Sequence, residues 1–167
     1  MEKYMKRAIE LAKEAFAEGE VPVGAVVVKK TTGEIVGEGR NRRETAKNAL
    51  AHAEIIAIDE ACRTLGGWRL PECALYVTLE PCCHQGRTPP CTEAILEQKI
   101  GRVVIGSRDP NPKVAGKGAR LLREAGVIVE EDFMREVCDR LNPVFFHYIT
   151  TKTPYVVLKY AMTADGK

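Results

Sequence analysis

The chain alternates between two hydrophobic periods. From Met1 to Glu18, the apolar residues Met5, Ala8, Ile9, Ala12, Ala15 and Phe16 recur at helical spacing, and Lys3, Lys6, Arg7, Lys13 and Glu14 take the other face. This predicts an amphipathic helix that Gly19 stops. Val21 to Lys30 is a nearly continuous apolar run, as a buried strand requires. Pro22 suits its first turn, and Gly24 lets backbone approach a ligand or a neighbour closely. Thr31-Thr32-Gly33 reads as a turn and Glu34 to Arg40 as the returning strand of a hairpin. A polar loop, Arg42 to Leu50, carries Arg42, Arg43 and Lys47, either as a solvated face or as a rim for phosphate. The helical period returns from Ala51 to Leu65, with Ile55, Ile58, Ala61, Cys62 and Leu65 expected inward, and Gly66-Gly67 ends it.

Strand and helix patterns then alternate. Ala74 to Leu79 is a strand, Cys91 to about Gln98 a helix and Arg102 to Ser107 a strand. A loop at Asp109-Pro-Asn-Pro112 leads to a helix over Lys117 to Ala125, a strand over Val127 to Glu130 and a helix over Asp132 to Leu141. Such alternation implies parallel pairing and an α/β chain folded as a three-layer α/β/α sandwich. From Thr150 the character changes. Tyr155 to Leu158 reads as one more strand, so residues 1–147 are expected to form one domain and 148–167 a linker and the cut-off start of another. Gly116-Lys-Gly118 looks like a phosphate loop only superficially, since no Lys-Ser/Thr pair follows.

Composition narrows the function classes. The 167 residues are 45% apolar with a formal net charge of +2, which suits one globular core and announces no overall basic field for nucleic acid. No apolar run is long enough for a membrane helix, and the N-terminus lacks a signal-peptide core. Of six cysteines, Cys62, Cys73 and Cys138 fall in apolar-periodic segments and read as small buried hydrophobes. A reducing, cytoplasmic setting fits this usage.

The chemistry-bearing residues are His52 and Glu54 at a helix start, then Cys82 and Cys91 around a proline-broken strand end. One His and two Cys offer three ligands to Zn2+ and leave a tetrahedral position open for water. Glu54 is a poor fourth ligand but is placed to move that water's protons. This His-x-Glu … Pro-Cys … Cys arrangement is that of zinc deaminases. Cys83 is not expected to reach the same ion, and the residues between Cys82 and Cys91 are expected to loop outward. Cys91, at a helix N-terminus, has its thiolate favoured there. Asn41, at a strand end beside this helix, could read a substrate or simply form a turn.

At these residues the chain resembles the cytidine-deaminase-like superfamily, which implies a central mixed five-stranded sheet. From Glu80 onward it resembles the deaminase part of the bifunctional riboflavin-biosynthesis deaminase-reductase. That likeness runs through His84-x-Gly86-Arg87-Thr-Pro-Pro-Cys91, Asp109-Pro-Asn-Pro-x-Val-Ala-Gly-Lys-Gly118, Leu141-Asn142-x-x-Phe145-Phe146 and the tail Thr153 to Lys167, which opens that family's reductase domain. Residues from about Phe16 to Leu70 are similar instead to tRNA adenosine deaminases, through Glu18-Gly-Glu-Val-Pro-Val-Gly-Ala-Val-Val-Val, Asn41-Arg42 and Ala51-His-Ala-Glu-Ile. The whole reads as a mosaic of the two.

The resemblance implies a hydrolase of riboflavin biosynthesis, with Glu54 catalytic and zinc on His52, Cys82 and Cys91. Its substrate would be a small phosphorylated pyrimidine. The positions of Glu20 and Asn41 line the pyrimidine in the family, His84 and Arg87 are implied phosphate contacts, and Lys159 matches a position near the ligand. A guanidinium at Arg87 could grip phosphate bidentately. A second copy of the chain is implied as partner. The first half implies an alternative, a tRNA wobble adenosine deaminase or a nucleobase deaminase, with salt-dependent tRNA binding. A zinc-stapled scaffold without catalysis is a third reading, and Glu54 beside an incomplete ligand set speaks against it.

Overall fold

A computed structural model describes residues 1–84, 89–112, 114–163 and 165. Helix α1 (Glu2–Ala17) opens the chain. The hairpin β1 (Gly24–Lys29) and β2 (Glu34–Arg40) follows, then α2 (Ala53–Leu65), β3 (Cys73–Leu79), α3 (Cys91–Glu97), β4 (Arg102–Ser107), α4 (Lys117–Glu124), β5 (Ile128–Glu130), α5 (Arg135–Asp139) and α6 (Pro143–Thr151). The strands form one sheet in the order β2-β1-β3-β4-β5, antiparallel across β2-β1-β3 and parallel across β3-β4-β5. The expected mixed five-stranded sheet is thus present.

Strand alternation sends side chains into two separate cores. Val27, Leu75, Val77, Val103 and Ile105 pack under α2, α3 and α4, whereas Val26, Val28, Tyr76 and Val104 pack under α1 and α5. This makes the three layers, and it explains why β1, β3 and β4 read as unbroken apolar runs: both faces of each are covered.

Helix α2 buries only part of the stripe its large residues suggest, with Ile58 inward as expected. Ala53, Ala57 and Ala61 are fully buried, while Ile55 is half-buried and Leu65 exposed. The reason lies on β2. A Cβ on Gly37 would stand 2.1 Å from the Ala57 carbonyl oxygen, and one on Gly39 would stand 2.1 Å from that of Ala53. Two glycines on the strand and three alanines on the helix bring backbone against backbone, and the larger side chains flank the contact. The register of β1 against β2 slips at Val36, and this bulge sits just before Gly37. On the other face Gly24 does the same for α1, with a Cβ position 2.0 Å from Ala8 O, so the neighbour it admits is a helix.

Other departures have equally local causes. Phe16 is 68% exposed rather than inward, and Leu11 is buried in the core instead. Helix α5 is shorter than expected because Asp132 and Met134 take left-handed backbone (φ 62° and 57°), which delays helix entry. Helix α6 was not anticipated, although Asn142 at its N-cap and Pro143 at its first turn are start signals. It runs through residue 147, and Tyr155 to Leu158 beyond it form no strand, since no described strand pairs with them. Among the described residues, no helix is long and apolar enough to cross a membrane.

Candidate active site

Strand β2 delivers Asn41, and α2 begins twelve residues later with His52 as its N-cap. The Asn41 Oδ1 accepts the Ala53 N–H at 3.0 Å, satisfying a donor that the helix end leaves open. His52 has no side-chain cap bond of its own, so its imidazole is free to point elsewhere. Strand β3 ends at Leu79, Pro81 breaks it, and Cys82 follows. Cys91 is the first residue of α3, and its N–H donates to Cys82 Sγ at 3.2 Å.

These elements bring His52, Cys82 and Cys91 together, with one ligand atom of each within 4.8 Å of the others. Cys91 Sγ lies 3.4 Å from His52 Nδ1. The edges of a zinc tetrahedron with nitrogen and sulfur ligands measure about 3.5–3.8 Å, so the trio has the size of three of its corners. Its protonation chemistry fits a cation as well. A hydrogen bond from the Cys91 thiol, then one with His52, pulls the Cys82 thiol down to about 4. The same bond and burial push Cys91 up, and the bond with Cys82 raises His52. A metal bound by the three side chains would displace their protons. Cys83 is set apart, with its thiol raised by burial, and all six cysteines are free.

Glu54 lies in the first turn of α2 and is 4% exposed. Burial, and then the charge on Cys82, raise its carboxyl above the ordinary range. It shares with His52 and Cys82 a cavity of about 230 Å³, whose walls also include Val23, Asn41, Arg43, Leu79, Asp109 and Phe145. A larger apolar cavity of about 660 Å³ lies between Phe16, Pro22 and Phe145, but none of the metal-ligating residues or Glu54 lines it.

The remaining expected contacts divide. Glu20 lines the cavity, but its Oε1 accepts from Thr45 N–H at 2.7 Å and Thr45 Oγ1 at 2.9 Å. Burial raises this carboxyl, and the Thr45 bonds outweigh that and hold it below the usual range. Glu20 thus anchors the loop that carries Arg43. Asn41 lines the cavity with its oxygen committed to Ala53, which leaves its amide nitrogen for a ligand. His84 is exposed. Arg87 lies outside the described residues. Lys159 is exposed and lines neither cavity. Two residues of the site were not singled out from sequence. Asp109 enters the cavity wall with its carboxyl raised by burial, and the buried Glu80 lines the same cavity. The Glu-Pro and Asp-Pro-Asn-Pro breaks at the ends of adjacent parallel strands were their signal, because ligand sites form where such strands end.

A mixed sheet, a His-x-Glu helix start and two cysteines beyond its strand ends together match the arrangement of zinc deaminases. The chain belongs to the family described as the cytidine and deoxycytidylate deaminase zinc-binding region, whose profile matches residues 1–107. It is 53% identical over 166 residues to the riboflavin biosynthesis protein RibD of Actinobacillus pleuropneumoniae, covering 98% of this chain and 41% of that protein. It is 41% identical over 155 residues to the tRNA-specific adenosine deaminase of Bacillus subtilis, covering 90% of this chain and 91% of the relative. Among solved structures, a diaminohydroxyphosphoribosylaminopyrimidine deaminase/reductase from Thermotoga maritima matches with a TM-score of 0.83 at 47% identity, over 99% of this chain and 46% of that one. A structure from work on tRNA:A34 deaminases matches with a TM-score of 0.73 at 32% identity, over 84% of this chain and 99% of that one. The chain spans less than half the length of the RibD relatives it matches.

Proposed function

We propose that this chain is a deaminase of riboflavin biosynthesis. It would remove the exocyclic amine of diaminohydroxyphosphoribosylaminopyrimidine, with zinc held by His52, Cys82 and Cys91. The observation that carries this reading is likeness to RibD at 53% identity over 166 residues, 98% of the chain. When bound, zinc supplies Lewis acidity that brings the pKa of a water toward neutrality. Glu54 takes a proton from the attacking water and delivers protons to the ring nitrogen and the departing amine. The water oxygen bonds to the ring carbon, the carbon–nitrogen bond breaks, and ammonia leaves. Burial raises the Glu54 carboxyl, which suits a group that must hold a proton between two transfers. The Asn41 amide nitrogen, its oxygen fixed by Ala53, donates to a ring acceptor. His84 and Arg87, on the strap between the cysteines, are assigned to the phosphate. The reading includes association with a second copy of the chain.

The test offers zinc-loaded protein two substrates in parallel, the phosphoribosylated diaminopyrimidine and a tRNA anticodon stem-loop with adenosine at the wobble position, and measures ammonia. Turnover of the first alone is expected. Turnover of the stem-loop alone would transfer the chain to the tRNA reading, which the Bacillus subtilis relative favours by covering nearly its whole length. Glu54→Gln is expected to reduce turnover by at least about 10³-fold with zinc content unchanged. Retained activity in that variant would remove Glu54 from the mechanism.

A further inference from the structure

Glu80 is the residue after β3, 4% exposed, and it forms no ion pair among the described residues. Four backbone N–H groups satisfy its carboxylate instead. Asp109 and Gly116 donate to Oε2 at 3.3 and 2.9 Å, and Gly118 and Ala119 donate to Oε1 at 3.1 and 3.3 Å. Three of these donors open α4, whose N-cap, Gly116, has no side chain with which to cap it. Glu80 therefore caps α4 from another element, and its negative charge meets the positive end of the helix. Gly118 is required for the approach, since a Cβ there would lie 2.5 Å from Pro81 O and 3.3 Å from Glu80 Oε1. The Glu80 N–H itself donates to Ser107 O at 2.9 Å.

One side chain thus ties the end of β3, the loop after β4 and the start of α4 into a single unit. Cys82 lies two residues beyond it in the chain. Asp109, at the far side of the clamp, shares the cavity wall with Glu54. We propose that Glu80 is a positioning residue for the deamination, setting where the Asp109 loop stands relative to Cys82 and Glu54 and so how the substrate ring is seated. Only a carboxylate suits the task. Both of its oxygens accept, whereas a glutamine amide would aim its own N–H groups at two of the four donors.

The experiment uses the full zinc-loaded chain with Glu80→Gln. Its kinetic arm rests on the deaminase reading and uses whichever of the two substrates the wild type turns over. KM is expected to rise about tenfold with a smaller change in kcat, at unchanged zinc content. In an Asp109→Asn background the same change is expected to add less than about twofold, because the two residues act through one loop. Glu80→Asp, which keeps the charge, is expected to recover part of the loss, and it replaces the glutamine variant in every arm if that variant does not fold. A second arm needs no substrate. Hydrogen exchange of the Gly116 to Ala119 amides is expected to accelerate about tenfold while α2 amides keep their rates. Unchanged KM, activity lost in proportion to zinc, or multiplicative effects with Asp109→Asn would each overturn the proposal. If the wild type turns over neither substrate, the deaminase reading fails on its own, and unchanged exchange at 116–119 would then overturn the role of Glu80.

Discussion

Gly39→Ala places a methyl group against the backbone that presents His52 and Glu54. Its Cβ would lie 2.1 Å from Ala53 O, 2.6 Å from Ala57 N and 3.1 Å from Ala53 C, where ordinary contact begins at 3.4 Å. All three atoms are backbone, so no side chain can rotate aside. The N-terminal turn of α2 must retreat by about 1.3 Å, or β2 must bend by as much, and such overpacking costs about 1–3 kcal/mol. Ala53 stands between His52 and Glu54, so both travel with it. Metal sites tolerate ligand shifts of about 0.2 Å, and a misplacement of about 1 Å near reacting atoms costs about 10²-fold in rate.

Gly24→Ala is the matched control. Its Cβ meets Ala8 O at 2.0 Å, an equal collision on the opposite face of the sheet, against a helix that carries neither a metal ligand nor Glu54. Both variants should melt about 2–10 °C below the wild type. Only Gly39→Ala should also lose zinc affinity and about 10²-fold in kcat per folded molecule, whereas Gly24→Ala should stay within about threefold. The measurements are melting by circular dichroism, zinc content after gel filtration, and ammonia release. Equal melting losses with normal zinc and normal kcat in Gly39→Ala would refute the idea that β2 sets the position of the site.

Two further outcomes follow from the same structure. Chelation should lower the melting temperature, because one ion ties the start of α2, the end of β3 and the start of α3. At free zinc 1,000-fold above Kd the ion contributes about 4 kcal/mol, or about 10 °C in a chain of this size, and Cys91→Ser should show no such shift when titrated with zinc in a thermal melt. Cys138 is fully buried, and burial pushes its thiol up to about 12 from an ordinary 9.0. The unfolded chain loses this proton first as pH rises, so the contribution is intact below about pH 9 and declines from there toward 12. Denaturant midpoints between pH 9 and 11 should therefore fall less steeply in Cys138→Ala than in the wild type.

His52, Cys82 and Cys91, which the structure brings together, and the proposed catalytic Glu54 could be picked from the sequence because the expected chemistry restricts the residue types: only a few side chains bind zinc, and one carboxylate two residues from a ligating His can reach its water. The strands were legible for a different reason, since two covered faces leave unbroken apolar runs. What stayed hidden depends on contacts between distant segments. The inward face of α2 follows from Gly37 and Gly39 on another strand, which bring Ala53 and Ala57 inward and leave Ile55 half-buried. The pairing of Glu80 with Gly116 and Gly118 spans more than thirty residues, and nothing local at either end announces it.

Those hidden contacts share one physical device. Glu20 and Glu80 are both buried without ion pairs among the described residues, and each spends its charge on the backbone N–H groups of a loop that walls the cavity. A hydrogen bond to a charged acceptor is worth about 1.5–3 kcal/mol, and stranding a buried carboxylate costs more than that. Each loop is therefore held as firmly as its carboxylate is buried, without a metal or a packed side chain of its own. Glu54 stands between these two anchors, the one buried carboxylate of the site lacking a loop to hold. Its raised carboxyl follows from that arrangement, since burial and the Cys82 charge act on it without a nest of N–H donors to offset them. The same residue type thus takes two tasks in one cavity. Where backbone donors converge, a glutamate fixes a wall; where they do not, its carboxyl is left for the proton exchange proposed for Glu54.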